Sequence, residues 1–330
     1  MANDSFDYAS LLQIKRMSLE ELNSYYRLLR KHNYEEGKLI NSSEVVNRMH
    51  SLKMLILKID KILCKRSLVI FDDKRQNNFD CGKIYASSHV GRYDIESSLE
   101  AINEPAYFVM GDPEETYRNF EGLFLEKING RICLDTGYQI YDIMMKKKDG
   151  LDLSFEEQKL YDEYKTDRHI GEIQCEERVK NGDNILIFPE GAWNVTERLT
   201  QTLFPGTARI AINSSGIIIP IGIIRNGKKY TVNIGKEFNV KGAQISDTAD
   251  ITSELKELIN SLKGEIIFSD GSEMTSRASL KTPEENLKDY VDDIMSETTN
   301  GYTLDVIEKT RFYDSNYPEN VLLNKTRKLS

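Results

Sequence analysis

Residues 185–194 read Ile185-Leu186-Ile187-Phe188-Pro189-Glu190-Gly191-Ala192-Trp193-Asn194. Four apolar residues run straight into a carboxylate held between a rigid residue and a flexible one. A short apolar run bounded by turn residues reads as a buried strand. Proline presets one turn angle and glycine removes the steric penalty on another. Chain reversal needs no carboxylate between them. Either Glu190 is an ordinary exposed turn residue, or the strand delivers it to a site.

Outward from this strand, similar runs recur at 68–71, 84–87, 106–110, 132–134, 217–224 and 230–234, with helical segments between them. Asp112-Pro113-Glu114-Glu115 combines an N-cap, a proline at the first helical position and an acidic first turn. Ser154 and Glu157 form a capping-box pattern ahead of another helix. Residues 250–264 predict a further helix. Asn226-Gly227 between two apolar runs is a strong hairpin signal. Strands alternating with helices predict an α/β core, and the hairpin makes its sheet mixed, mostly parallel, with helices flanking it. Three parts are expected: an N-terminal helical segment over 1–66, the α/β domain over 67–240, and a C-terminal helical extension and tail over 241–330.

In the first part, residues 18–36 predict a helix, opened by the Ser18/Glu21 capping box and closed by Gly37. Residues 43–65 predict a second. Val45, Val46, Met49, Leu52, Leu55, Ile56, Ile59, Ile62 and Leu63 form its apolar stripe, and Lys53, Lys58, Lys61, Lys65 and Arg66 lie off that stripe or at its end. The first expectation is that the stripe packs on the core with the lysines solvated. A basic amphipathic helix can also lie on an anionic membrane.

The 330 residues are 39% hydrophobic and 29% charged, with a formal net charge of -9. That balance belongs to a soluble globular chain and argues against nucleic acid as a partner, which calls for a net basic face. Cys64, Cys81, Cys133 and Cys175 form no CxxC pair and read as reduced thiols. His32, His50, His89 and His169 have no partner at metal-ligand spacing, so no metal site is expected. The N-terminus lacks the basic-then-apolar order of a signal peptide, and no apolar run approaches the ~20 residues that span a bilayer. A cytoplasmic protein, soluble or lying on a membrane face, is expected.

A second stretch, Tyr85-Ala86-Ser87-Ser88-His89-Val90-Gly91-Arg92-Tyr93-Asp94, leads from a strand through a histidine to a carboxylate at the start of a helix. His-x4-Asp across such a loop can fold the carboxylate onto the imidazole, fixing its tautomer and leaving the other nitrogen as a base. A loop histidine beside an N-capping aspartate is the plainer reading of this pair alone. The two loops, however, can meet at the carboxyl edge of one sheet, where open α/β sheets place their sites.

Together these stretches resemble the glycerolipid acyltransferases, the lysophosphatidic acid acyltransferase superfamily, whose members carry four ordered blocks. The first, NH-x4-D, matches Ser88 to Asp94. The second, roughly G-x-x-F-I-x-R, matches Gly130-Arg131-Ile132-Cys133-Leu134-Asp135-Thr136. The third, FPEG-T-R-S, matches Phe188 to Asn194. The fourth, an apolar strand with proline, matches Ile218-Ile219-Pro220-Ile221-Gly222-Ile223. The likeness covers residues 68–235, about half of the chain. The ordered joint match of blocks one, three and four is specific, whereas either short block alone is not.

The resemblance implies a glycerol-3-phosphate acyltransferase-like fold and an O-acyltransferase. Its donor is acyl-CoA or an acyl carrier protein, and its acceptor is a lysophospholipid hydroxyl or a relative in phospholipid biosynthesis. Neither metal nor bound cofactor is implied. His89 is the base, Asp94 orients it, Glu190 binds acceptor hydroxyls, and Pro189 and Gly191 shape the turn for close approach. Three departures stand out. Ser88 replaces asparagine, and Thr136 and Trp193 stand where the family has arginines that hold the acceptor phosphate. Either Arg92, Arg131 or Arg209 binds phosphate from a new position, or the acceptor has no glycerol phosphate and is a lysophospholipid with a larger head group, a glycolipid or a glycan hydroxyl. Trp193 is then either a surface that stacks on a sugar face or an acyl chain, or a buried core aromatic. A hydrolase using water as acceptor and a non-catalytic lipid-binding homologue are the rivals.

Overall fold

A computed structural model of the protein describes residues 9, 13, 16–36, 44–76, 81–91, 93–110, 130–134, 140–191, 200, 203–267 and 269. Ser18 caps helix α1, Leu19–Glu35, and makes both capping-box bonds with Glu21. Helix α2, Glu44–Leu63, follows, then strand β1, Ser67–Asp73. Next come β2, Lys83–Ser87; α3, Asp94–Ile102; β3, Tyr107–Met110; and β4, Arg131–Cys133. Helices α4, Tyr141–Lys148, and α5, Phe155–Lys180, precede β5, Ile185–Ile187. Ser154 and Glu157 close the expected capping box on α5. The chain continues through α6, Gly206–Ser214; β6, Ile217–Asn226; β7, Lys229–Ile234; β8, Phe238–Asn239; and α7, Thr248–Ile267. The helix start at Asp112-Pro113 and the stop at Gly37 lie outside the described residues.

Each of the seven apolar runs forms a strand. They are too short and too β-branched for helices, and turn residues bound them. The sheet has the order β1-β7-β6-β2-β5-β3-β4, with β8 also on β6. β2 pairs in parallel with both β5 and β6, β3 with both β5 and β4, and β1 with β7. Among the described strands, β6 with β7 and β6 with β8 run antiparallel. The β6–β7 hairpin turns at Gly227, whose φ is +58°. The sheet is therefore mixed and mostly parallel, as its sequence predicts.

Helices cover both faces. Leu99 and Ile102 of α3 join Leu57 of α2 against Tyr85, Phe108, Leu186, Ile219, Ile221 and Ile223. On the other face Cys175 and Val179 of α5, Ala208 and Ala211 of α6, and Ile251, Leu255 and Ile259 of α7 pack against Ile84, Ile185 and Ile218. Burial of each such aliphatic side chain contributes about 1.5–3 kcal/mol. Helix α7 sits so close to β6 that a Cβ at Gly222 would come within 2.8 Å of the Leu262 Cβ and the Lys263 nitrogen. Thus α7, which the sequence places in a C-terminal extension, covers one face of the sheet.

Helix α2 departs from its expected orientation. Val46 and Leu57 are buried, and Lys53 between them is only 1% exposed. With His50, these occupy positions i, i+4, i+7 and i+11, one side of a helix. Leu52, Leu55, Ile59, Ile62 and Leu63 lie on the other side and are exposed, Ile62 at 74% and Leu63 at 75%. The expectation that the whole stripe packs on the core with Lys53 solvated is thus corrected. The apolar positions are too many for one side, and the inward side carries a lysine. Val69, Ile70 and Phe71 of edge strand β1 are also exposed.

Candidate active site

Strands β5, β2 and β6 are neighbours and parallel where β2 meets the other two, so their carboxyl ends open on one edge. The loop leaving β2 carries His89, and the turn leaving β5 carries Glu190. The two sequence stretches therefore converge there, as an open α/β sheet arranges its crevice.

Asp94 begins α3 but does not cap it. Tyr93 is the N-cap residue and makes no side-chain cap. The Asp94 carboxylate turns back into the loop instead. Its Oδ2 accepts from His89 Nδ1 at 2.8 Å, Val90 N at 2.6 Å and Gly91 N at 2.9 Å. Asp94 is fully buried, while the His89 side chain is 16% exposed. A proton on Nδ1 fits the carboxylate, which leaves Nε2 as the nitrogen with a lone pair. The α3 N-terminal dipole favours the negative charge.

Glu190 is 2% exposed, so it is no surface turn residue. Its Oε1 accepts from the His89 backbone N–H at 2.8 Å. One side chain thereby locks the β5 turn to the β2 loop at the histidine itself. Gly191 donates to the Phe188 carbonyl at 3.0 Å and has φ +67°, a left-handed conformation that favours glycine. The Pro189 carbonyl accepts from Phe204 N at 2.8 Å, tying the turn to the chain entering α6. Phe188 lies against the imidazole, with ring centroids 4.5 Å apart and planes tilted by 34°. Phe108 in turn meets Phe188 edge-on at 6.4 Å. The His89 ring is held between a carboxylate at Nδ1 and an aromatic wall.

Ser88 has a clear task. Its Oγ accepts from Ile223 N at 2.9 Å, and its own N–H donates to Ile221 O at 3.1 Å, fastening the base of the loop to β6. Among the other expected site residues, Arg92, Thr136 and Trp193 lie outside the described residues, as does the side chain of Arg131, which opens β4. Arg209 on α6 is engaged by Glu172 of α5, with Nη2 2.5 Å from Oε1.

Two neighbours of the loop went unassigned in the sequence. Phe188 stands inside the FPEG stretch, where an aromatic next to a site strand is a usable signal. Arg225 is the other. A Cβ on Gly91 would lie 2.5 Å from its Nη1, so its guanidinium packs on the loop that carries His89. Nothing local in the sequence reveals a contact between residues so far apart.

No protein-family model matches the chain, and no curated protein matches it. Among solved structures it is similar to the crystal structure of the 1-acyl-sn-glycerophosphate (LPA) acyltransferase, PlsC, from Thermotoga maritima. The two are 13% identical with a TM-score of 0.48, over 75% of this chain and 92% of that one.

Proposed function

We propose that the protein is an O-acyltransferase that moves an acyl group from a thioester, acyl-CoA or acyl carrier protein, to a lipid hydroxyl. The observation that carries this reading is the His89 imidazole, bound through Nδ1 to buried Asp94 and anchored at its own amide by Glu190. His89 Nε2 takes the acceptor's hydroxyl proton as that oxygen attacks the thioester carbonyl carbon. The tetrahedral intermediate collapses, the carbon–sulfur bond breaks, and the imidazolium returns its proton to the departing thiolate. Asp94 stabilises the transient imidazolium. Such a base contributes about 10²–10⁴ in rate. By the family resemblance, Glu190, placed beside the His89 amide, binds the acceptor's hydroxyls.

The lipid substrate calls for a lipid surface. The outward side of α2, with Leu55, Ile59, Ile62 and Leu63 beside exposed Lys58 and Lys65, has the apolar and basic composition that docks on anionic headgroups. Among the described residues, no helix is long and apolar enough to cross a membrane. Docking on a membrane face is therefore part of the proposal.

The acceptor is the open choice, because Thr136 and Trp193 stand where the family's phosphate-holding arginines do. The test supplies palmitoyl-CoA or a palmitoylated carrier protein with lysophosphatidic acid, phosphate-free lysolipids or glycolipids, and identifies products by mass spectrometry. The expected result is an acylated acceptor. Free fatty acid formed at the same rate with and without acceptor would replace the transferase by a hydrolase.

A further inference from the structure

β2 lies between β5 and β6, so the loop leaving it has a flank on each side. Glu190 holds the β5 flank through the His89 amide. On the β6 flank Ser88 holds only the base of the loop, at Ile223. Two residues further along β6, on the same side of the strand, stands Arg225. It is buried, and its Nε donates to the Gly227 carbonyl at 2.9 Å, which pins the side chain against the hairpin turn. From that anchor the guanidinium reaches Gly91. A Cβ there would meet Arg225 Nη1 at 2.5 Å and both Cδ and Cζ at 3.4 Å, and the Gly91 φ of +150° is itself one that side-chain-bearing residues rarely adopt. The Gly91 amide donates to Asp94 Oδ2, the oxygen that holds His89 Nδ1. A chain of contacts thus runs from Arg225 through Gly91 and Asp94 to the imidazole.

We propose that Arg225 is a positioning residue for His89, the β6-side counterpart of the Glu190 brace. It acts through the loop backbone. Anchored on a rigid hairpin, its guanidinium limits how far Gly91 can move, and so keeps the Gly91 and Val90 amides on Asp94. A planar, permanently charged group supported at Nε suits this task better than a flexible ammonium.

The kinetic half of the test rests on the acyl-transfer reading; the spectroscopic half does not. Arg225→Gln, Arg225→Lys, Gly91→Ala and the Arg225→Gln/Gly91→Ala pair are prepared, with folding followed by circular dichroism. The low-field proton resonance of the imidazole Nδ1–H is recorded for each, and His89→Ala identifies the signal by its loss. Arg225→Gln should shift or broaden that resonance. It should also lower kcat by about 10²-fold with donor and acceptor KM within about threefold, since small misplacements of a catalytic group act on the chemical step. Arg225→Lys should recover part of the loss. Gly91→Ala, which pushes on the guanidinium while leaving it in place, should act similarly, and the double variant should cost less than the sum. Should Arg225→Gln not fold, Gly91→Ala carries the same expectations and Arg225→Lys the same changes at smaller size. An unchanged Nδ1–H resonance would overturn the proposal even if no substrate is turned over. A raised KM at unchanged kcat would also overturn it, because Arg225 would then be binding substrate charge.

Discussion

The two edges of the sheet hold polar clusters of opposite character. At the amino edge Glu104 is the hub. Lys83 Nζ reaches both of its oxygens at 3.0 Å, Tyr85 OH donates at 2.8 Å, Asn184 Nδ2 at 3.2 Å and Arg75 Nη1 at 3.3 Å. Arg75 also donates to the Ile102 carbonyl at 3.0 Å, tying the end of α3 into the cluster. Burial, with the neighbouring Glu104 charge, pushes the Tyr85 phenol up and keeps it a neutral donor. The Glu104 carboxylate is saturated by the protein's own donors. At the carboxyl edge Asp94 loads three donors on Oδ2, while among the described residues its buried Oδ1 has no hydrogen-bond partner. A buried carboxylate oxygen without a partner is costly, and such exceptions concentrate where function requires them. The amino edge fastens strands together. The carboxyl edge gives up satisfaction to hold one imidazole in one orientation.

That contrast breaks most sharply with Asp94→Asn. At the carboxyl edge the change should lower turnover by about 10²–10⁴, the share expected of a correctly held base, with little loss of helix content by circular dichroism. Glu104→Ala at the amino edge should do the reverse. Removing the shared acceptor leaves several half-buried donors unpaired, so denaturant titration should show a loss of about 1–3 kcal/mol, while kcat of the folded protein holds. A large kcat loss from Glu104→Ala at unchanged stability would erase the distinction between the edges.

Helix α2 sharpens the comparison at smaller scale, because its two sides also have different tasks. Ile62→Asp with Leu63→Asp should weaken co-sedimentation with anionic vesicles by about tenfold or more, as burial of two aliphatic side chains is forfeited. Binding by the unaltered protein should weaken as salt is raised. Equal vesicle binding by both proteins would remove this side from the docking surface. On the inward side, burial lowers Lys53 to about 8 from 10.5. Below about pH 8 folded and unfolded chains both carry the proton, and the buried charge costs stability. Between about 8 and 10.5 the unfolded chain alone retains it, so this contribution to stability rises with pH through that window. Lys53→Met should therefore be more stable at pH 7 by roughly 1–3 kcal/mol, and its advantage should shrink toward pH 10. Urea midpoints of the two proteins at both pH values measure this directly.

Local features were legible and distant ones were not. The seven apolar runs announce strands because burial on both faces of a mostly parallel sheet demands such runs. The capping boxes at Ser18 and Ser154 and the Asn226-Gly227 turn are complete within four residues. His89 and Asp94 are five residues apart, so their pairing was readable too. Strand order was not, and the parallel pairing that puts β1 at the edge beside β7 joins residues far apart in the chain. Two-residue β8 is too short for any pattern. Helix α6 has only short apolar stretches around Ala208, Ile210 and Ala211, and its burial comes from α5 and α7. Helix α2 has apolar residues on more than one side, so periodicity could not choose the inward face, and a buried lysine reverses the usual rule. The bond from Glu190 to the His89 amide and the approach of Arg225 to Gly91 exist only once three strands lie side by side.

The central claim is that His89 is the base for transfer to a hydroxyl acceptor. The most direct measurement is thiol release from palmitoyl-CoA by the unaltered protein and by His89→Ala, each with and without the acceptor that mass spectrometry identifies. The account predicts release that requires the acceptor and falls by about 10²–10⁴ in His89→Ala at unchanged circular dichroism. Equal acceptor-dependent release by the two proteins would contradict it.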